Sequence, residues 1–139
     1  MENNNKEKNK EEERIELGLY LIKKVFEQEI EESKTKYIKG SIRSGNKIMY
    51  DGSLVIIGDV NAGAEIIAGE NIVILGNLRG MAHAGASGNK KAIIVAENIE
   101  SPQLRISNLL WKNEDENNGE NKIKKYAYIS EEKIIVENY

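Results

Sequence analysis

At 139 residues, with a formal charge of −3 and a pI near 5.4, the chain is the size of one domain and leaves little room for a second sizeable core. It has no Cys and a single His, which excludes a disulfide framework and a thiolate metal site, and its apolar runs fall far short of the roughly 20 residues that a membrane helix needs. The acidic balance argues against nucleic-acid binding, which requires clustered Lys and Arg. Charge is also uneven along the chain: residues 1–40 hold 9 Lys/Arg and 10 Glu, whereas residues 48–111 carry only 10 charges.

Asn3 to Lys10 is polar and without apolar periodicity, which predicts a disordered leader. No apolar signal segment is visible there, so the chain is expected to stay in the reducing cytoplasm. From Glu11 to Ser33, Ile15, Leu19, Ile22, Phe26 and Ile30 recur at three- and four-residue steps, the spacing of one face of an amphipathic helix. Gly18 inside it costs about 1 kcal/mol relative to Ala, so the stripe needs something to pack against. The expected organisation is a charged leader and helix over 1–35, then a β-domain over 36–139.

Beyond Lys39 the pattern becomes a repeat. Ile42, Ile48, Leu54, Val60, Ile66, Ile72, Leu78 and Ala84 are eight aliphatic positions, each six residues after the last. Superimposed is a period of eighteen that pairs Ile48 with Ile66, Val55 with Val73, Ile56 with Ile74 and Gly58 with Gly76. Eighteen residues in three six-residue sides describe one coil of a triangular β-helix, with about five coils available. Gly52, Gly58, Gly63, Gly69, Gly76 and Gly80 are expected at the corners, and so is Pro102. Around Gly85–Lys91 the third coil is read as two residues longer, which aligns Ala92–Ala96 with Ile72–Gly76. Leu104–Ile106 and Leu109–Trp111 supply later sides. Asn113–Asn121 reads as a polar loop, and Tyr126–Ile129 with Ile134–Val136 as a hairpin that covers the open edge of the last coil.

If Leu54 and Ile56 point inward, then Val55 and Ile57 point out, and so do Val73, Leu75, Ile93 and Val95. Six aliphatics stacked on one outer face exceed what a monomer normally leaves in water, so this face is expected to form a homodimer interface, with cover by the N-terminal helix as the alternative.

Catalytic constellations are scarce. His83 in Ala82-His-Ala84 is expected to be a structural corner residue, and Gly85–Lys90 misses the spacing of a phosphate loop. Asp51, Asp59, Glu65, Glu70 and Glu97 are scattered, so no carboxylate pair is proposed for acid/base work. No cofactor, metal or enzymatic activity is expected. Arg43-Ser44-Gly45-Asn46, at the entrance to the first coil, reads from its residues alone as a β-turn presenting a guanidinium.

In order, Arg43–Asn46, Gly58–Glu65, Ala68–Asn71, Leu78–Gly80, Ala82–Ala86, Gln103–Ile106 and the final hairpin strongly resemble the C-terminal domain of the bacterial septum-site-determining MinC family, over about residues 36–139. The resemblance implies a right-handed triangular β-helix that dimerises through one face. It also implies binding to the membrane-associated ATPase MinD through Arg43, Ser44, Gly45 and Asn46, where the family has Gln at the last position. Contact with the membrane would be indirect, at its inner face through MinD, and the outcome would be to keep FtsZ rings from assembling at the poles. In that family a separate N-terminal domain acts on FtsZ; about 35 residues stand in its place here. Two other β-helix functions are weighed: a hexapeptide-repeat acyltransferase using His83 as base, and a bactofilin-like scaffold.

Overall fold

In the computed structural model, residues 2–29, 34–114 and 123–139 are described. The chain divides into two compact units, Met1–Ser33 and Lys34–Tyr139. The first contains helix α1 (Glu2–Glu29), so the segment expected to be a disordered leader is helical. The reason is local: Glu7 with Lys10, Lys8 with Glu12 and Lys10 with Glu13 place opposite charges three or four residues apart on good helix formers. Ile15, Leu19 and Ile22 of the stripe are more than half exposed; the side chains of Phe26 and Ile30 lie outside the described residues.

The second unit is a β-solenoid. Strands β1 (Thr35–Lys39), β3 (Ser53–Ile57), β5 (Ile72–Leu78) and β7 (Ile94–Ile99) stack in parallel as sheet A. Strands β2 (Lys47–Tyr50), β4 (Glu65–Ala68), β6 (Met81–Ala84) and β8 (Gln103–Ile106) stack in parallel as sheet B. The third side is carried by the parallel bridges Ile42↔Val60 and Val60↔Leu78, extended by Leu78↔Ile99. Each sheet thus has four parallel rungs rather than the five coils expected. The register step is the anticipated eighteen residues from β1 to β3 to β5 in sheet A, as in Leu54↔Ile72 and Val55↔Val73, and from β2 to β4 in sheet B, as in Ile48↔Ile66. From β4 to β6 it is sixteen, Ile66 pairing with Ala82 and not with Ala84 of the six-residue series.

The six-residue series is the core. Ile42, Leu54, Val60, Ile66, Ile72, Leu78 and Ala84 are all buried, with Ile48 half-buried at the open end, and Ile56, Ile74, Ile94, Leu104 and Ile106 join them. Truncating one such Leu or Ile to Ala costs about 2–5 kcal/mol.

Three sequence expectations are corrected here. Ile72 pairs with Ile94, not Ala92, so the corner at Gly85–Lys91 adds four residues rather than two. Because the slip is an even number, every residue stays on its expected face. Gly76 lies within β5, where a register shift between Ile74 and Asn77 bends the strand through the corner without ending it. Finally, β9 (Leu109–Lys112) runs antiparallel to β8 through a turn at Ser107, which has φ 54, so Leu109–Trp111 closes sheet B and does not start another coil. Sheet A is closed as expected: β10 (Tyr126–Ser130) pairs antiparallel with β7 and with β11 (Lys133–Glu137). Most of the expected polar loop, residues 115–122, lies outside the described residues.

Candidate functional site

Arg43–Asn46 forms the corner between the third side and sheet B. The Asn46 N–H donates to the Arg43 carbonyl at 3.1 Å, and Gly45, third in the turn, has φ 88, a value that an L side chain strongly disfavours. One coil later Asn61–Ala64 repeats the device: the Ala64 N–H donates to the Asn61 carbonyl at 3.0 Å and Gly63 has φ 86. The two turns are laddered by Asn61 N–H to Ile42 O, Gly45 N–H to Gly63 O and Glu65 N–H to Asn46 O, at 2.9–3.0 Å. Ser44 lies over Gly63 so closely that a Cβ on that glycine would strike its hydroxyl.

The turn's backbone is therefore fixed, while all four of its residues are exposed. Among the described residues the Arg43 guanidinium has no ion pair or side-chain hydrogen bond. Arg79, two coils on in the same column, is the contrast: its Nε donates to Glu100 at 3.1 Å and its guanidinium stands 3.8 Å from Asp59. One arginine is spent on the fold; the other has five N–H donors available to a planar acceptor such as a carboxylate. The Asn46 side chain is likewise not needed by the turn, which uses only its backbone.

The face anticipated for dimerisation is sheet A. Val55, Val73 and Val95 are in register in one outward column, with Tyr37 before them and Tyr126 after them. Ile57 and Leu75 lie beside this column and are 42% and 51% exposed. Ile93 also faces outward, but the four-residue insertion moves it away from Val73: it stands level with Asn71, whose side chain accepts its N–H, two residues to the side of the column. Five of the six residues are thus brought together, and Ile93 flanks them. Sheet A is the side of the triangle opposite the Arg43 corner, so both surfaces can be used at once.

Alternation also reveals a surface that the sequence reading left out. Met49, Ile67, His83, Arg105 and Leu110 share an outward column on sheet B, beside Lys47, Glu65, Met81, Gln103 and Lys112. The signal was the period-two pattern of β2 and β4, there to be read as it was for sheet A. A cavity of about 200 Å³ lies between Glu65, Met81, Ala82, His83 and Arg105. His83 is thus in a strand, not at a corner, and its Nε2 donates to the Ser107 carbonyl at 2.8 Å. Among the described residues no hydrogen bond orients its other ring nitrogen, as a general base would require. Gly85–Lys91 is a packed corner: Ser87 Oγ donates to Gly69 O at 2.8 Å and the Asn89 amide to Glu70. Among the described residues no group of three or more acidic or His side chains could hold a metal ion, and no helix is long and apolar enough to cross a membrane.

Comparison with known proteins agrees with this geometry. The family model for the septum formation inhibitor MinC, C-terminal domain, matches residues 36–139. A probable septum site-determining protein MinC of Thermoanaerobacter sp. is 50% identical over 119 residues, covering 83% of this chain and 55% of that protein. The corresponding protein of Ruminiclostridium cellulolyticum is 48% identical over 120 residues, covering 85% of this chain and 52% of its own length. The chain therefore spans about half the length of these curated relatives. Among solved structures, a chain of the MinC:MinD cell division protein complex of Aquifex aeolicus superposes with a TM-score of 0.70 at 34% identity, covering 77% of this chain and 88% of that one. With a stacked β-helix, the repeated corner turns and this match over the whole second unit, the chain belongs to the MinC family of septum formation inhibitors, through their C-terminal domain.

Proposed function

We propose that this chain is a non-catalytic adaptor in division-site selection. It binds a MinD ATPase through Arg43, Ser44, Gly45 and Asn46, dimerises through Val55, Ile57, Val73, Leu75, Ile93 and Val95, and is drawn from the cytoplasm to the inner face of the membrane by that partner. ATP hydrolysis and membrane attachment belong to MinD, and restraint of FtsZ ring assembly away from mid-cell is the outcome. The observation that carries the reading is the rigid corner at Arg43, whose exposed guanidinium has no ion pair or side-chain hydrogen bond among the described residues although Arg79 in the same column has two partners. The solved relative, which is part of a MinC:MinD complex, supports the choice of partner.

The test is ATP-dependent recruitment of the chain to liposomes by its cognate MinD. Recruitment of the wild type and its loss in Arg43→Ala are expected. Equal recruitment of the variant would move the contact off this corner, and no recruitment of the wild type with either nucleotide would reject the partner. Asn46→Gln restores one methylene of reach and is expected to tighten the contact.

A further inference from the structure

Helix α1 carries a surface that its own unit does not cover. Ile15, Leu17, Leu19, Tyr20, Leu21 and Ile22 are each 53–62% exposed within one eight-residue stretch. A helix that is apolar on so much of its circumference is normally covered. An anionic lipid surface is a poor match, because Glu2–Glu29 holds six basic residues against eight Glu.

The spacing points elsewhere. Ile15, Leu19, Ile22 and, by sequence, Phe26 alternate steps of four and three, the a/d seam of a coiled coil with Leu19 and Phe26 at a and Ile15 and Ile22 at d. Glu16 and Lys23 then occupy the flanking e positions. In a parallel pair, Glu11 at g would face Glu16 of the other helix, a like-charge contact. In an antiparallel pair, Glu16 faces Lys23 of the second copy, twice over by symmetry. Neither residue has an ion pair among the described residues, whereas Lys24 is engaged over the Tyr20 ring at 5.3 Å. Gly18 supports close approach at g: nothing stands within 4 Å of a Cβ placed there, so nothing in its surroundings demands a glycine.

We infer that α1 is a second self-association element, forming an antiparallel two-helix coiled coil with α1 of another copy. Leu19 packs against Ile22 of that copy, and the Glu16 and Lys23 pairs set the direction. This goes beyond the adaptor reading and does not depend on MinD.

Since the chain has no Cys, single cysteines report the pairing directly. Full-length Leu19→Cys and Ile22→Cys chains, both carrying Val73→Lys so that sheet A does not bring copies together, are mixed and oxidised. The expected result is a mixed disulfide in excess of either homodisulfide, formed faster than in a control mixture of Leu17→Cys and Leu21→Cys, which lie off the seam. A Leu19 homodisulfide in excess, or a rate no greater than that control, overturns the proposal. Glu16→Lys should slow the mixed disulfide at least about threefold and Lys23→Glu added to it should restore the rate; the absence of rescue also overturns it.

Discussion

The corner glycines and arginines make opposite demands on the fold. Gly69 is held because a Cβ there would enter the Asp51 carbonyl one coil below. Gly69→Ala must push two coils apart, and a loss of about 2 kcal/mol or more is expected by chemical denaturation. Arg43→Ala should change stability by less than about 0.5 kcal/mol, since among the described residues the guanidinium has no ion pair or hydrogen bond whose loss would leave a group unpaired. Arg79→Ala leaves Asp59 and Glu100 without their shared cation and should be measurably less stable than Arg43→Ala. A binding defect without a stability defect is thus expected only at position 43. Tyr128 adds a pH dependence: its O–H donates to Glu137 at 3.0 Å, which together with desolvation and the Glu137 charge raises its pKa above the ordinary 10.0. A raised folded-state value favours the folded protein while the phenol is protonated, and that contribution fades as pH climbs through it. Glu137→Ala should therefore flatten the alkaline arm of a stability-versus-pH curve.

The strands show how far a repeat can be read without coordinates. The eight-position aliphatic series identified the core, because a side chain that must point inward once per six-residue side leaves a period that no loop imitates. It did not distinguish parallel from antiparallel pairing: Leu109–Trp111 has the composition of any strand, and only the turn at Ser107 sends it back along β8. The size of the insertion was misjudged for a related reason, since Ala92 is as fully buried as Ile94 and either satisfies an inward position. Helix α1 extends N-terminally because the helix-favouring charge spacing of residues 7–14 carries no apolar signal. The closing hairpin is the element with the clearest test. Removing β10 and β11 strips Ala127 and Ile134 from the core and bares the edge of β7. Concentration-dependent light scattering that is absent from the intact chain is expected.

The triangular cross-section of the solenoid keeps the two proposed contact surfaces apart. Sheet A offers Val55, Val73 and Val95 as one flat column, and the Arg43 turn occupies the opposite vertex. The first was legible from alternation. The second was legible only as a turn, because nothing in a list of residues tells a free guanidinium from a paired one; that distinction needed Asp59 and Glu100 located around Arg79. Val73→Lys should lower the solution mass contributed by the proposed sheet A contact, seen by sedimentation, while leaving the proposed MinD contact at the Arg43 turn in place as a single site. Weaker liposome recruitment, but not its abolition, is then expected, since one attachment replaces two.

The lengthened corner at Gly85–Lys91 has a practical implication. Four extra residues leave the ladder there and re-enter it with Ile94 seated on Ile72, and a Cβ on Gly88, at the outer part of this loop, would have open space around it. The solenoid thus already contains a graft port: a short epitope or fluorophore-bearing peptide spliced after Gly88 would ride on the outside of the prism, on a different vertex from Arg43, and let the molecule be followed without touching its candidate partner contact.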